Sequence, residues 1–77
     1  MKELVEVIAK ALVDSPDEVF VAQRDEEDGT IVLELHVAKE DMGKVIGKKG
    51  RIAKSIRTVV KTAATKKDLK VVVDIVE

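Results

Sequence analysis

The stretch Val-Ile-Gly-Lys-Lys-Gly-Arg, residues 45 to 51, places two glycines and three positive charges within seven positions. Lysine and arginine side chains bind phosphate oxygens, and glycines let a ligand come close to the main chain. These residue types at this spacing therefore indicate a site for a phosphate group. The details of the spacing decide which kind of phosphate site it is.

Two common phosphate-binding motifs do not fit the stretch. A Walker loop requires a glycine, four further residues and then Gly-Lys followed by Ser or Thr. Counting from Gly43, Gly47 comes one position too early, and Lys49 stands where the hydroxyl residue belongs. A dinucleotide fingerprint requires a glycine two positions before Gly47, where Val45 stands, and it follows a strand. A Gly-x-x-Gly turn between two helices remains, with the second helix expected to offer free amide groups to phosphate.

The elements around this turn follow from hydrophobic periodicity and turn signals. Apolar residues at helical spacing predict helices, and runs rich in β-branched residues predict strands. Gly29, after three acidic residues, marks a turn between two antiparallel strands. The predicted elements, in the order α-β-β-α-α-β, are helix 2–13, strands 19–24 and 30–37, helices 39–46 and 51–65, and strand 69–75.

The composition predicts one compact domain spanning residues 1–77. Its 45% hydrophobic and 38% charged residues are typical of a soluble domain, and the chain shows neither a transmembrane run nor a secretion signal. Absence of cysteine excludes disulfides, thiolate catalysis and cysteine-bound zinc. We therefore expect a cytoplasmic protein with a thin core, for which a second subunit would supply additional burial.

Charge is segregated along the chain, although the net charge is only −1. Residues 1–37 contain three bases and ten acids, a net charge of −7, whereas residues 38–70 contain eleven bases and three acids, a net charge of +8. A polyanion would bind to the basic half. The lysines near the paired glycines are therefore better explained by phosphate binding than by solubility alone.

The Gly-x-x-Gly turn resembles the loop of the KH domain, which clamps about four nucleotides of single-stranded RNA or DNA. Ile46 precedes the turn, Lys48 and Lys49 lie inside it, and Arg51 follows it within a β-α-α-β unit. Because a helix and a strand precede that unit, the element order is similar to that of the type II KH domain. The resemblance implies an α+β fold in which a three-stranded sheet packs against three helices.

The segment EDMGKVIGKKGRIAKSIRTVVKTAA, residues 40–64, together with the chain length, resembles the KhpA (YlqC) family of small bacterial KH proteins. This resemblance implies a single-stranded RNA-binding protein without catalysis, cofactor or metal. It further implies RNA chaperoning or post-transcriptional regulation, a role in cell elongation or division, and pairing with itself or with KhpB (Jag). The alternative is a protein–protein dimerisation module in which RNA contact is secondary.

The resemblance assigns RNA binding to the paired glycines and their neighbours. The phosphates are expected at Lys48 and Lys49, and the bases are expected on Val45 and Ile46 with Val37 or Leu35 of the preceding strand. Where most KH domains have a large aliphatic residue, this chain has Ala53, which predicts a shallow groove floor and limited sequence preference. The expected RNA-binding residues are Val45, Ile46, Gly47, Lys48, Lys49, Gly50, Arg51 and Lys54.

The long helix also carries a candidate dimer interface. Ile52 and Val59 lie two turns apart at the edge of its apolar arc, and the small polar residues Ser55 and Thr62 flank them. Such a face lets two helices cross closely about a two-fold axis. The alternative is that Ile52 and Val59 pack against the edge of the sheet of their own chain.

The remaining polar residues do not indicate an active site. His36 is the single histidine, and strand alternation places it on the outer face of the sheet. The acidic run Glu26-Glu27-Asp28 is typical of a solvated hairpin tip and lacks calcium-loop spacing. The single aromatic residue, Phe20, is predicted to lie in the core, and one phenylalanine argues against a base-stacking sheet surface.

Overall fold

The computed structural model describes residues 1–76, with the side chains of all of these except Lys48 and Lys49. Over that range the chain forms two α-helices, one short 3-10 turn and three strands. In chain order these are α1 (Lys2–Leu12), the 3-10 turn (Pro16–Glu18), β1 (Phe20–Asp25), β2 (Ile31–His36), α2 (Lys39–Lys66) and β3 (Val71–Val76). None of the helices in this part of the chain is both long and apolar enough to cross a membrane.

Gly50 divides α2 into two helical segments. Its φ of +66° is incompatible with a right-handed helix, in which φ is near −63°. A straight helix of 28 residues would also be about 42 Å long, whereas the longest principal extent of the molecule is 34 Å. The α-β-β-α-α-β order is therefore confirmed. The boundary differs from the prediction, because the first segment continues through Gly47 and a single left-handed residue is enough to turn the chain.

The sheet has the order β1-β2-β3, with β1 antiparallel and β3 parallel to β2. Strand register aligns Val21 with Leu35 and Leu35 with Ile75 on the face that the helices cover. On that face the fully buried residues Leu33 and Leu35 join Val5 of α1 and Ile56 of α2 in one hydrophobic cluster. The predicted α+β architecture, with helices against one face of a three-stranded sheet, is confirmed.

The prediction that Phe20 lies in the core is wrong. Its side chain is 56% exposed on the outer face of the sheet, where its ring centroid lies 5.4 Å from that of His36. Alternation along β1 explains the error, because Val21 is completely buried and its neighbour must face the opposite side. The predicted place of His36 on the outer face is confirmed.

A buried carboxylate fixes the start of α2 to the end of α1. Asp41 is 1% exposed, and its two oxygens accept hydrogen bonds from the main-chain N–H groups of Asp14 (3.1 Å) and Ser15 (3.0 Å). The Ser15 hydroxyl also donates to Glu40 (3.2 Å). These contacts hold the first segment of α2, and with it the glycine corner, in a fixed position against the rest of the domain.

The acidic run forms the predicted hairpin tip. Gly29 has φ of +91°, and its N–H donates to the Glu26 carbonyl (3.1 Å). Asp28 accepts a hydrogen bond from the Thr30 N–H (2.9 Å), and this bond lowers the pKa of the Asp28 carboxyl below its ordinary value. The side chain of Asp28 is thereby used to close the turn.

Candidate nucleic-acid interface

Gly47 and Gly50 form an open corner, residues 47–50, between the two segments of α2. A Cβ atom added at either glycine would meet no atom of the described residues within 4 Å, apart from the immediate chain neighbours and the helix backbone. Gly50 is explained by its positive φ, but Gly47 has a negative φ that any residue can adopt. Neither crowding nor conformation accounts for Gly47, so its surface is free for the approach of a ligand.

A cavity of about 330 Å³ lies beside the corner, and we call it the corner cavity. Its apolar surface comes from both segments of α2 and from β3, and its cations come from the second segment. Ala53 is 5% exposed and lines the cavity, and the prediction that its small size makes the groove floor shallow stays a prediction. The lining residues are Ile46, Gly50, Ala53, Lys54, Arg57 and Ile75.

Only one of the two aliphatic residues expected at the end of the first segment is accessible. Ile46 is 53% exposed and lines the corner cavity, whereas Val45 is completely buried in the core cluster. Side chains of consecutive helical residues point about 100° apart, so Ile46 faces a different direction from the buried Val45. The expectation that bases lie on Val45 is therefore not met.

The strand residue beside the cavity also differs from the expectation. Leu35 is completely buried and Val37 is 9% exposed, so neither offers a surface to a ligand. Ile75 of β3 takes that place, because β3 is the edge strand that packs along the second segment of α2. A parallel strand that follows a helix directly returns beside that helix, and this rule could have identified β3 from the sequence.

Three exposed cations lie on the second segment near the corner: Arg51, Lys54 and Arg57. Lys54, one of the predicted RNA-binding residues, lines the corner cavity. Arg57 was absent from the predicted site, yet it lines the cavity and its Nε donates to the Val73 carbonyl (3.3 Å). Its position seven residues after Gly50, two helical turns, was the available signal.

The predicted phosphate contacts at Lys48 and Lys49 concern side chains that lie outside the described part of the structure. The backbone of α2 runs through the corner without a gap. Because Gly50 has a φ of +66°, a new helical segment starts after it, and the expectation that this segment offers free amide groups to phosphate stays a prediction. The described features of this corner that suit a phosphate are exposed cationic side chains and the open surface at the glycines.

The candidate dimer residues fall into two groups. Ser55, Val59 and Thr62 are exposed, with Val59 exposing 42% of its surface. Ile52 is partly buried against the core cluster. The side of α2 that carries Val59 is therefore exposed, and Ile52 is partly covered by the core of its own chain.

Among the residues that the structure describes, no group of three acidic or histidine side chains could hold a metal ion.

Comparison with known proteins gives consistent similarities over the whole chain. A family model described as "KhpA/KhpB, KH domain" matches residues 2–75. The RNA-binding protein KhpA of Clostridium perfringens is 64% identical over 76 residues, and that of Clostridium acetobutylicum is 63% identical over 76 residues. Both matches cover 99% of this chain and 100% of the relative. The RNA-binding protein KhpA of Listeria monocytogenes is 48% identical over 77 residues, with full coverage of both chains.

A solved structure supports the same fold. A crystal structure of Aquifex aeolicus Era bound to GDP and AlF4⁻ matches with a TM-score of 0.60 at 21% sequence identity. The match covers 97% of this chain and 30% of the Era chain. At this identity the likeness concerns the fold alone.

Proposed function

The chain belongs to the KhpA/KhpB KH-domain family, and from that membership we propose that it binds single-stranded RNA at the glycine corner. The observation that carries the proposal is the corner cavity, in which the exposed Ile46 and the cations Lys54 and Arg57 lie beside Gly50 of the open corner. Similar relatives carry the name RNA-binding protein over their full length. No covalent chemistry is involved, and the chain needs no cofactor for this function.

The proposed contacts divide between backbone and bases. Lys48, Lys49 and Arg51 hold phosphates, while the absence of a side chain at Gly47 lets the strand approach the main chain. Bases lie on Ile46 of α2 and Ile75 of β3, the two large aliphatic residues that line the corner cavity.

Sequence preference in this proposal is modest. The floor of the corner cavity is Ala53, and no aromatic residue lines it among the described residues. Base stacking on aromatic rings, which adds about 1–3 kcal/mol per base in other single-strand binders, therefore does not contribute. Affinity comes mainly from phosphate contacts, so it falls as salt rises.

The test is RNA binding by the double variant Lys48→Asp/Lys49→Asp. Reversal of both charges removes two phosphate contacts and adds repulsion, so binding of a single-stranded oligonucleotide should fall by at least about a hundredfold, equal to about 2.7 kcal/mol. Fluorescence anisotropy with labelled RNA measures the loss. The matched control, Lys66→Asp/Lys67→Asp, makes the same charge change at the exposed end of α2, away from the corner cavity. Equal losses in both variants would assign binding to net charge rather than to the corner.

Self-association is a second proposed property, favoured by the exposure of Val59 on α2. In this proposal two chains, or this chain and a KhpB-type KH protein, pair through Ser55, Val59 and Thr62 with Ile52 at the margin. Pairing would place two RNA sites on one particle. RNA chaperoning, post-transcriptional regulation and a role in cell elongation or division in the cytoplasm would follow from that RNA-binding activity.

A further inference from the structure

A second cavity of about 410 Å³ lies farther along the second segment of α2, and we call it the distal cavity. Its wall on the helix side comes from residues 57–65 and its wall on the strand side from residues 69–73. Val60 and Ala64 are buried at its floor, and Leu69 is 42% exposed at its margin. The distal cavity is thus an apolar trough between helix and strand that nothing in the described chain covers.

Arg57 lines both cavities. It stands between them, because its Nε bonds to the Val73 carbonyl on β3 (3.3 Å). The corner and distal cavities are therefore successive parts of one groove that follows α2 on one side and β3 on the other.

The rim of this groove is cationic along its whole length. Lys54, Arg57 and Lys61 follow one another at helical spacing, and Lys70 lies opposite at the start of β3. No acidic residue is among the described residues that line either cavity. In a chain whose net charge is −1, this concentration of one sign favours an anionic occupant.

The free edge of β3 adds hydrogen-bonding groups to the same groove. The Ile31 N–H donates to the Lys70 carbonyl (2.9 Å), so Lys70 points its carbonyl toward β2. Main-chain direction alternates along a strand, which turns the carbonyls of Val71 and Val73 toward the free edge. The Arg57 Nε donates a hydrogen bond to the Val73 carbonyl. The main-chain N–H and C=O of Val71 stay at the free edge, where the edge of a nucleobase could form hydrogen bonds with them.

We propose that the distal cavity is a continuation of the RNA site, binding about two nucleotides beyond those held at the glycine corner. This inference rests on the proposed RNA function and extends its footprint. From Arg57 to Thr65 the helix covers about 12 Å, roughly the length of two extended nucleotides. Their phosphates pair with Lys61 and Lys70, and their bases lie on the apolar floor at Val60, Ala64 and Leu69.

The test is a length series of oligouridylates of four, six and eight nucleotides. Affinity should rise by more than about tenfold from four to six nucleotides, and from six to eight by only about the threefold that the extra registers give. If the site held only four nucleotides, a hexamer would bind about threefold more tightly than a tetramer, because it offers three registers. Two added phosphate contacts would, in addition, steepen the slope of log affinity against log salt by about 1.4. A gain of threefold or less with an unchanged salt slope would overturn the proposal.

The double variant Lys61→Glu/Lys70→Glu locates the added contacts. It should bind the tetramer as the parent does and lose the additional affinity for the hexamer. Lys66→Glu/Lys67→Glu, with the same charge change outside both cavities, should keep that additional affinity. Circular dichroism checks that both variants are folded.

Three other outcomes would overturn the proposal in distinguishable ways. If Lys61→Glu/Lys70→Glu bound the tetramer and the hexamer more weakly by the same factor, Lys61 and Lys70 would act only through general electrostatic attraction. If Lys61→Glu/Lys70→Glu lost self-association in sedimentation but kept the RNA length dependence of the parent, the distal cavity would be assigned to a second copy of the chain. Failure of the parent to bind any of the three oligonucleotides would show that the RNA function itself had failed.

Discussion

At the scale of single residues, the two glycines of the corner have different physical roles. Gly50 has a positive φ, so a side chain there is strained, whereas Gly47 has a negative φ and open space around it. The sequence predicted a corner at these glycines but not which one turns the chain. Both have the same residue type, and the backbone angle depends on how the two segments pack.

This difference predicts opposite effects on stability. Gly50→Ala should lower the free energy of unfolding by about 1–2 kcal/mol, since an L-residue is strained in the left-handed region. Gly47→Ala should raise it by about 0.5–1 kcal/mol, because alanine is the better helix former. Urea denaturation measures both changes.

The Gly47→Ala variant also separates stability from function. Gly47→Ala, although more stable, should bind RNA roughly tenfold more weakly, because the new methyl group occupies the surface where the strand approaches. Gly43→Ala is the matched control: it lies in the same segment with equally open space, and it should gain stability without losing affinity. Unchanged RNA affinity of Gly47→Ala would remove Gly47 from the site.

At the scale of elements, the pattern of the sequence predicted the order and type of every long element, because each has a clear hydrophobic period. Register and edges were harder to predict. The sequence indicated β2 as the strand beside the groove, yet β3 takes that place. The face of Phe20 was also missed, since strand β1 is short and its alternation becomes clear only once Val21 is known to be buried.

One tertiary contact between elements was not foreseeable from periodicity, and it leads to a prediction about stability. Asp41 is buried and accepts two main-chain hydrogen bonds from the segment after α1. Asp41→Ala should lower the free energy of unfolding by about 2–4 kcal/mol, because it leaves two N–H groups without their charged acceptor. Thermal and urea unfolding measure the loss.

Asp14→Ala is the control for this change. Its carboxylate is exposed and pairs with Lys44 (3.1 Å), a surface ion pair expected to contribute less than about 1 kcal/mol. Equal destabilisation by the two variants would mean that the buried carboxylate does not fix the start of α2.

At the scale of the whole molecule, the fold separates three surfaces: the groove between α2 and β3, the exposed side of α2 at Val59, and the outer face of the sheet. In a chain of 77 residues, folding buries only roughly 60% of the surface that the unfolded chain exposes. The proposed pairing through α2 would bury additional apolar surface at Val59.

Val59→Glu should convert a dimer to a monomer while leaving RNA binding per chain unchanged, because it places a charge within the proposed helix–helix interface. Sedimentation over a range of concentrations measures the association. Val7→Glu is the control, since Val7 is 66% exposed on α1 and lies outside that interface. A parent chain that stays monomeric at high micromolar concentration would contradict the dimer proposal.

RNA binding at the glycine corner is tested by the change in backbone amide NMR shifts when a single-stranded RNA tetramer is added to the labelled protein. RNA binding at the glycine corner predicts the largest changes at Ile46, Gly50, Lys54 and Ile75. Changes confined to the outer face of the sheet, at Phe20 and His36, with the corner unaffected, would contradict it.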